Sequence, residues 1–437
     1  MLRILSLLLP GLLRDARAAA GIALAALLLA ACGGERGDGR TVLKVSGSAV
    51  GREGEVLRRQ IARFERLHPE VDVEVQQTPD DATQRHQLYV QWLNARVGTP
   101  DVLQLDVVWT PEFAAAGWIL PLDRFGPRRG DFFPATVEAN TWRDTLYALP
   151  WFADVGMLYW RTDLLDAPPA TLDQLAEQAR RGRAGAGPPS RGIVWQGARY
   201  EGLVTVFLEY LGAYGGTILT PDARVAVDSP EAVRALRFMR DQVRRGGIAP
   251  REVLTWHEEE TRFAFQNGTA VFMRNWPYAV ALLNDSAESR VAGRFAVAPM
   301  PAAPGGRPTA ALGGAQLAIN AHSAHPEAAY RLIEYLTAPE QMLERAAVAG
   351  QYPARPALYD DPRLARALGV PTAEVRRIVE AATPRPVTPI YTQLSEILQI
   401  HLHRALVGRV APEAALRAAA AEMERVIEET GIREVQG

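Results

Sequence analysis

Apolar residues in the first quarter of the chain follow two alternating patterns. The segments TVLKVSG (41–47), VDVEVQQ (71–77) and DVLQLDVV (101–108) have the β-branched, period-two character of strands. The segments between them, 55–67 and 82–98, carry apolar residues at helical intervals, and we expect Gly98 to end the second helix. This β-α-β-α-β order predicts a mainly parallel sheet with helices on its faces.

The remaining sequence predicts a second α/β region. An apolar run at 146–161 and a strand end at 192–197 alternate with expected helices at 171–182, 229–247, 325–350 and 411–431. We expect a kink near Pro339 in the third of these helices. A chain of 437 residues exceeds one typical core, so about two domains are expected.

The N-terminal segment has the features of a secretory signal. Three arginines precede the apolar stretch GIALAALLLA (21–30), which is shorter than the roughly 20 residues of a membrane span. The motif Leu29-Ala30-Ala31-Cys32 then resembles a bacterial lipobox, and Cys32 is the only cysteine of the chain. We therefore predict a lipoprotein signal peptide at 1–31, lipidation of Cys32 and a flexible tether at 32–40. An ordinary signal peptide with an incidental cysteine is the alternative.

Composition and motifs narrow the classes of function. The formal net charge of −2 is unlike that of a basic nucleic-acid binder. With Cys32 lipidated, no cysteine remains for a disulfide or for thiol catalysis. The sequence contains no nucleophile elbow, phosphate-binding P-loop or dinucleotide fingerprint in the required context. The stretch 257–260 (HEEE) lacks a second histidine at metal-binding spacing, so we expect neither a metal nor another cofactor.

Acidic residues stand beside aromatic ones at several strand ends and loops. Carboxylates accept hydroxyl hydrogens strongly, and aromatic faces cover the apolar faces of sugar rings, so the combination is typical of carbohydrate sites. Two carboxylates also leave a glycosidase open, because such enzymes use an acidic pair; Asp106 and Asp154 are the candidates. The groups are Asp106 with Trp109, Asp154 with Trp151 and Phe152, and Trp276 and Tyr278 with Arg274 and Asn275.

Several motifs resemble those of one protein family. LHPEVDVEV (67–75), TAPEQM (337–342) and the lipobox resemble extracellular solute-binding lipoproteins of sugar ABC transporters. Longer segments also resemble the trehalose/maltose-binding proteins of archaea and thermophilic bacteria, namely 99–125, 193–203, 274–279, 312–314 and 384–399. The resemblance extends over nearly all of the chain that follows the signal peptide.

This resemblance implies a two-lobed α/β fold of the type II periplasmic-binding-protein class, with the ligand cleft between the lobes. Lobe 1 would comprise 41–150 and 316–350, and lobe 2 would comprise 151–315 and 351–437. The segments that cross between the lobes are expected near 149–154, 312–316 and 351–355.

The resemblance also implies the residues that contact a sugar. Carboxylates would accept hydroxyl hydrogens, arginines would donate, rings would stack and one glycine would allow a close backbone approach. The acceptors are Glu53, Asp106 and Asp154, and the donors are Arg85 and Arg355. The stacking rings are Phe152, Trp276 and Tyr278, and the glycine is Gly314. Asp80 stands where the family has a Thr, and Ala315 stands where it has a Trp. Loss of that ring accounts for roughly 1–2 kcal/mol of stacking, so either affinity drops, another ring such as Tyr352 replaces it, or the pocket suits another ligand.

The function implied by the resemblance is that of a lipid-anchored receptor for an ABC importer, on the periplasmic or extracellular face of the envelope. The protein would bind an α-linked glucose disaccharide, trehalose or maltose first, by closing its lobes as a monomer, and would deliver it to the permease. Another oligosaccharide or a polyol is the alternative ligand. The predicted acidic pocket disfavours a phosphate.

Overall fold

The computed structural model describes residues 39–47, 51–79, 82–183 and 189–432. Cys32, the predicted lipidation site, lies outside the described residues. The strands are β1 Thr41–Gly47, β2 Val71–Gln77, β3 Val102–Asp106, β4 Thr141–Trp142, β5 Thr145–Leu146, β6 Ala148–Val155, β7 Met157–Arg161, β8 Arg191–Val194, β9 Ala270–Asn275, β10 Phe295–Ala298, β11 Ala310–Ile319 and β12 Ala382–Thr383.

Helices pack against strands of both the larger sheets formed by these strands. The helices are α1 Gly51–Leu67, α2 Ala82–Asn94, α3 Thr110–Ala115, α4 Pro134–Ala139, α5 Leu172–Gly182, α6 Glu201–Ala213, α7 Pro230–Val243, α8 Glu258–Gln266, α9 Ala279–Leu283, α10 Pro326–Leu336, α11 Pro339–Ala349, α12 Pro362–Leu368, α13 Thr372–Glu380, α14 Tyr391–Leu406 and α15 Pro412–Thr430. Within the described ranges, no helix is long and apolar enough to span a membrane.

A six-stranded sheet organises the first half of the fold, which we call lobe 1. Its strand order is β12-β11-β3-β1-β2, and β6 also pairs with β11. β1 runs parallel to β2 and β3, as predicted, whereas β11 runs antiparallel to β3 and β6. Leu57, Ile61 and Phe64 of α1 are buried at helical spacing, so this helix turns one apolar face to the core.

A four-stranded sheet with the order β10-β7-β9-β8 organises the second half, lobe 2. β8 and β9 are parallel, and the other two pairings are antiparallel. The helices α6 and α7 follow β8 in the chain and pack against each other, and the C-terminal helices α14 and α15 join them. The two sheets thus give the chain the mixed α/β character that the sequence predicts.

The three segments predicted to cross between the lobes lie side by side. β6 contains the first and β11 the second, and these strands pair with each other along most of their length. The third reaches β6 at Tyr352, whose carbonyl accepts a hydrogen bond of 2.9 Å from the Ala153 N–H. The residue boundaries given above for the two lobes remain predictions.

Two predicted helices end differently in the structure. The helix expected to reach Gly98 stops at Asn94, because Arg96 adopts a left-handed conformation (φ 55°) and the N–H of Val97 turns back to the carbonyl of Trp92 at 3.0 Å. The helix expected at 325–350 is not kinked but broken into α10 and α11. Ala338 is extended (ψ 153°), as a residue before proline prefers, and Pro339 starts the new helix.

Candidate ligand-binding site

β11 brings the residues of the candidate site together. In the strand register Ala315 faces Asp106 of β3 on one side and Phe152 of β6 on the other, and Gly313 faces Asp154. Residues far apart in sequence are therefore aligned across three neighbouring strands. The pairing shifts between Ala315 and Gln316, which is a bulge of the kind found beside functional sites.

The carboxylates of Glu53, Asp106 and Asp154 form one electrostatic group. Burial raises the pKa of Asp154 from 3.8 to about 7, and the charges of Glu53 and Asp106 add to the effect. Glu53 belongs to this group because α1 begins at Gly51, so that Glu53 lies in its first turn. The site therefore concentrates negative charge, and this charge together with burial favours the protonated form of Asp154.

A cavity of about 530 Å³ opens beside Glu53, and its lining includes neither Asp106 nor Asp154. Its walls include Glu53 and Arg85 from lobe 1 and Tyr278 from lobe 2. The volume lies within the roughly 300–1,000 Å³ typical of small-molecule sites. A smaller cavity of about 240 Å³ adjoins it and is lined in part by Tyr352, the ring considered as a replacement for the family's Trp.

The aromatic side of the site is the loop after β9. The indole N–H of Trp276 donates to Glu258 Oε1 at 3.3 Å, and the hydroxyl of Tyr278 donates to Glu259 Oε1 at 2.7 Å. The Trp276 carbonyl also accepts a 2.6 Å hydrogen bond from the hydroxyl of Tyr159. Both side chains are thereby anchored to α8 and the Trp276 backbone is anchored to β7, while both rings remain only partly buried.

The glycines of β11 allow close approach to this loop and to β6. Gly314 has a φ of +108°, and a Cβ at this position would lie 2.3 Å from the carbonyl oxygen of Phe152. A Cβ on Gly313 would lie 3.3 Å from Cζ3 of Trp276. The strand thus passes beside Trp276, and Ala315 next to it is 4% exposed. Gly314 has a steric reason to be glycine.

The remaining predicted positions are Asp80, Phe152 and Arg355. Asp80 lies outside the described residues. Phe152 is buried, with its ring 5.8 Å from that of Trp151. Arg355 donates to Asp131 at 2.7 Å and to the Thr337 carbonyl at 2.9 Å, and its guanidinium covers the ring of Phe132. None of these Arg355 contacts involves another predicted ligand residue of the described chain.

The structure adds Arg385, which the sequence reasoning did not assign. Its guanidinium is 4% exposed and donates to Asp106 Oδ1 at 3.2 Å and to Glu201 Oε1 at 2.7 Å. Arg385 lies within the segment 384–399 that carried part of the resemblance. Only this motif could have indicated Arg385 from the sequence, because its partners Asp106 and Glu201 are 279 and 184 positions away.

The structure also adds Arg345, whose side chain is fully buried. Its guanidinium lies 3.8 Å from the ring centroid of Trp151 and 5.5 Å from that of Phe152, and it donates to Gln351 Oε1. Burial lowers its pKa to about 9, although the charge of Glu53 acts in the opposite direction. Arg345 thus packs against the rings of Trp151 and Phe152 and places positive charge near Glu53.

Comparison with known proteins identifies the family. The sequence profile described as "Bacterial extracellular solute-binding protein" matches residues 48–343, more than half of the chain. The chain belongs to this family. As an extracellular solute-binding protein it is a binding protein and not an enzyme, so the glycosidase considered from Asp106 and Asp154 is wrong. Its relatives and structural neighbours are binding proteins of ABC transporters, including sugar-binding ones.

Two similar proteins cover most of this extracellular solute-binding protein. A probable ABC transporter-binding protein of Deinococcus radiodurans is 37% identical over 368 residues, which are 81% of this chain and 86% of the relative. The structure of maltose-bound T. maritima MalE3 has 43% identity and a TM-score of 0.80, over 88% of this chain and 100% of that one.

A more distant structure supports the fold alone. The GacH receptor of Streptomyces glaucescens, solved unliganded and with acarbose, has 23% identity and a TM-score of 0.78 over 89% of this chain and 99% of that one. These likenesses confirm the two-lobed, type II periplasmic-binding-protein fold.

Proposed function

We propose that this protein is the sugar receptor of an ABC importer and binds an α-linked glucose disaccharide, with maltose and trehalose as the first candidates. One observation carries the proposal: Glu53, whose charge acts together with that of Asp106 on Asp154, lines a cavity whose opposite wall includes Tyr278 of the aromatic loop. Carboxylates that accept hydroxyl hydrogens and a ring that covers an apolar sugar face are the two chemistries that a disaccharide requires. The maltose in the similar T. maritima structure supports this choice.

Binding would proceed by closure of the lobes. A ligand that contacts Glu53 and Arg85 on lobe 1 and Tyr278 on lobe 2 gains all its contacts only when the lobes are close together. Such a ligand shifts the population toward the closed form. The closed form would then be the one that the permease recognises, and the monomer is sufficient for this mechanism.

Delivery at the membrane would be aided by a lipid on Cys32. The support for this part is the lipobox-like sequence at 29–32 and the Gly-rich tether that follows it. The protein would then remain at the periplasmic or extracellular face of the membrane, within reach of its permease. Mass spectrometry of the N-terminal peptide from cells tests the point: a diacylglycerol-modified Cys32 supports it, and an unmodified cysteine contradicts it.

Calorimetric titration with a panel of sugars tests the ligand class. Maltose and trehalose should bind with a single site and a negative heat-capacity change, because apolar area is buried. Glucose and free phosphate should bind far more weakly. If a polyol such as ribitol or mannitol binds more tightly than either disaccharide, the ligand assignment is wrong while the receptor function stands.

A further inference from the structure

Glu201, the first residue of α6, collects hydrogen bonds from three side chains of lobe 2. Its Oε1 accepts from Arg385 Nη1 at 2.7 Å and from the hydroxyl of Tyr391 at 2.6 Å, and its Oε2 accepts from the hydroxyl of Ser395. Its position at a helix N-terminus also places the side chain where the helix dipole attracts a carboxylate. Glu201 is therefore held in one orientation.

The far side of the same guanidinium reaches lobe 1. Arg385 Nη2 donates to Asp106 Oδ1 at 3.2 Å and to the Leu312 carbonyl at 3.4 Å. Asp106 Oδ1 also accepts from the backbone N–H of Val108 at 3.2 Å. The charge of Arg385 is thus shared between two carboxylates, and on Asp106 its contact falls on the oxygen that the backbone already uses.

The division of Arg385 between Glu201 and Asp106 determines which oxygens of Asp106 can accept a hydrogen bond from a ligand. A guanidinium is a planar fork that pairs with both oxygens of a carboxylate when the geometry allows. Arg385 is 4% exposed and stays charged, so removal of one counter-ion strengthens its attraction to the other. Without the charge of Glu201, the fork would turn toward Asp106 and engage both of its oxygens.

We propose that Glu201 is a positioning residue for ligand binding, which holds Arg385 so that one oxygen of Asp106 remains available to a sugar hydroxyl. The inference rests on the proposed function, in which Asp106 is a hydroxyl acceptor. It adds a residue that lies on lobe 2, acts on an acceptor of lobe 1 and needs no contact with the sugar.

A double-mutant cycle on binding tests this role. The Kd for maltose is measured by calorimetry for the wild type, Glu201→Gln, Asp106→Asn and the double variant. We expect E201Q to weaken binding about 10- to 100-fold, the range of one hydrogen bond to a charged group. We expect the double variant to bind within about twofold of D106N, because Glu201 acts only through Asp106. Effects that simply multiply would overturn the inference, since a general structural role gives independent losses.

Glu209→Gln is the matched control. Glu209 lies on the same helix and also pairs with a buried arginine, Arg274, but the described contacts do not connect it to Asp106. The losses from E209Q and D106N should therefore multiply. If E201Q does not fold, Glu201→Asp replaces it. This variant keeps the charge but withdraws it from Arg385, and a loss of affinity that multiplies with that of D106N again overturns the inference.

The wild-type titration separates the two proposals. A wild type that binds neither maltose nor trehalose contradicts the disaccharide ligand of the proposed function, and the inference fails with it. A wild type that binds one of them, together with a multiplicative cycle, contradicts the role of Glu201 alone. Tyr391→Phe provides a further check, because it leaves both charges in place and should alter the Kd by no more than about twofold.

Discussion

The guanidinium carbon of Arg274 lies 4.1 Å from the ring centroid of Trp276, only two positions further along the chain. The cation cannot move away, because Arg274 is fully buried and donates to Glu209 at 2.9 Å and 2.5 Å and to Gln196 at 3.0 Å. One face of the indole is thus supported by a fixed charge. The loop that displays Trp276 and Tyr278 is built on an ion pair of the lobe 2 core.

Replacement of Trp276 by Ala should weaken maltose binding by about 5- to 30-fold. This corresponds to roughly 1–2 kcal/mol for the apolar area of a ring that covers a sugar. Calorimetry on the purified variant provides the measurement. The control is Phe263→Ala, because Phe263 also lies against an arginine, with Arg262 at 4.2 Å, but is 48% exposed. Equal losses from both variants would contradict the stacking role.

Replacement of Arg274 by Met should lower the free energy of unfolding by about 3–5 kcal/mol, because it leaves the buried carboxylate of Glu209 without its partner. The double variant Arg274→Met, Glu209→Leu should recover most of that loss, because no charge then remains buried. Urea unfolding followed by circular dichroism compares the three proteins. A double variant as unstable as the single one would show that packing under Trp276, and not charge, is the cause.

Asp154→Asn should change how stability depends on pH. The pKa of Asp154 is raised from 3.8 to about 7, so between these values the folded protein holds a proton that the unfolded chain has released. The contribution of this group is therefore most favourable below about pH 4 and declines as the pH rises to about 7. The variant has no such proton. We expect its stability relative to wild type to increase from pH 4.5 to 8, measured by urea unfolding.

Asp163→Asn should show the opposite dependence of stability on pH. Burial raises the pKa of Asp163, but the hydrogen bond and charge of Arg161 outweigh it and leave the pKa below its usual value. The stabilisation from Asp163 is present above its unfolded-state pKa and is lost as the pH falls through its folded-state pKa. The difference in the free energy of unfolding between wild type and this variant should thus become smaller as the pH falls. Identical pH trends for the Asp154 and Asp163 variants would contradict both assignments.

Gly314→Ala should destabilise the protein by about 2–4 kcal/mol, because the new methyl meets the Phe152 carbonyl in a conformation that L residues rarely adopt. Gly305→Ala is the control. Gly305 also has a positive φ, of +79°, but has open space at the Cβ position, so it should lose only about 1 kcal/mol. Thermal unfolding distinguishes them. A Gly314 variant no less stable than the Gly305 variant would contradict the close approach.

Local structure could be predicted from the sequence where local signals determine it. The side-chain oxygen of Thr171 accepts from the Gln174 N–H at 3.2 Å, and that of Ser229 accepts from the Ala232 N–H at 3.3 Å, as their positions before helices indicate. The end of α2 could not be predicted, because the left-handed position is taken by Arg96 instead of a glycine.

The charge balance of the site could not be predicted from spacing. Arg385 is separated from Asp106 by 279 positions and meets it only because β3, β11 and the segment after β12 converge. Arg355 was placed at the site by resemblance, yet its side chain pairs with Asp131, and its role in ligand binding stays a prediction. A motif indicates that a residue matters, whereas its partners follow from the tertiary fold.

The pairing of β11 also bears on how the protein unfolds. This one strand pairs with β3, β6 and β12 in the sheet of lobe 1, and the N–H of its residue Ala311 donates to Glu209 Oε1 on α6 of lobe 2 at 3.2 Å. Neither half can therefore lose its structure without stripping hydrogen bonds from a strand that the other half uses. We expect the protein to melt in a single calorimetric transition, with no stage at which one lobe persists alone. Two resolved heat-absorption peaks would show that the shared strand does not couple the lobes.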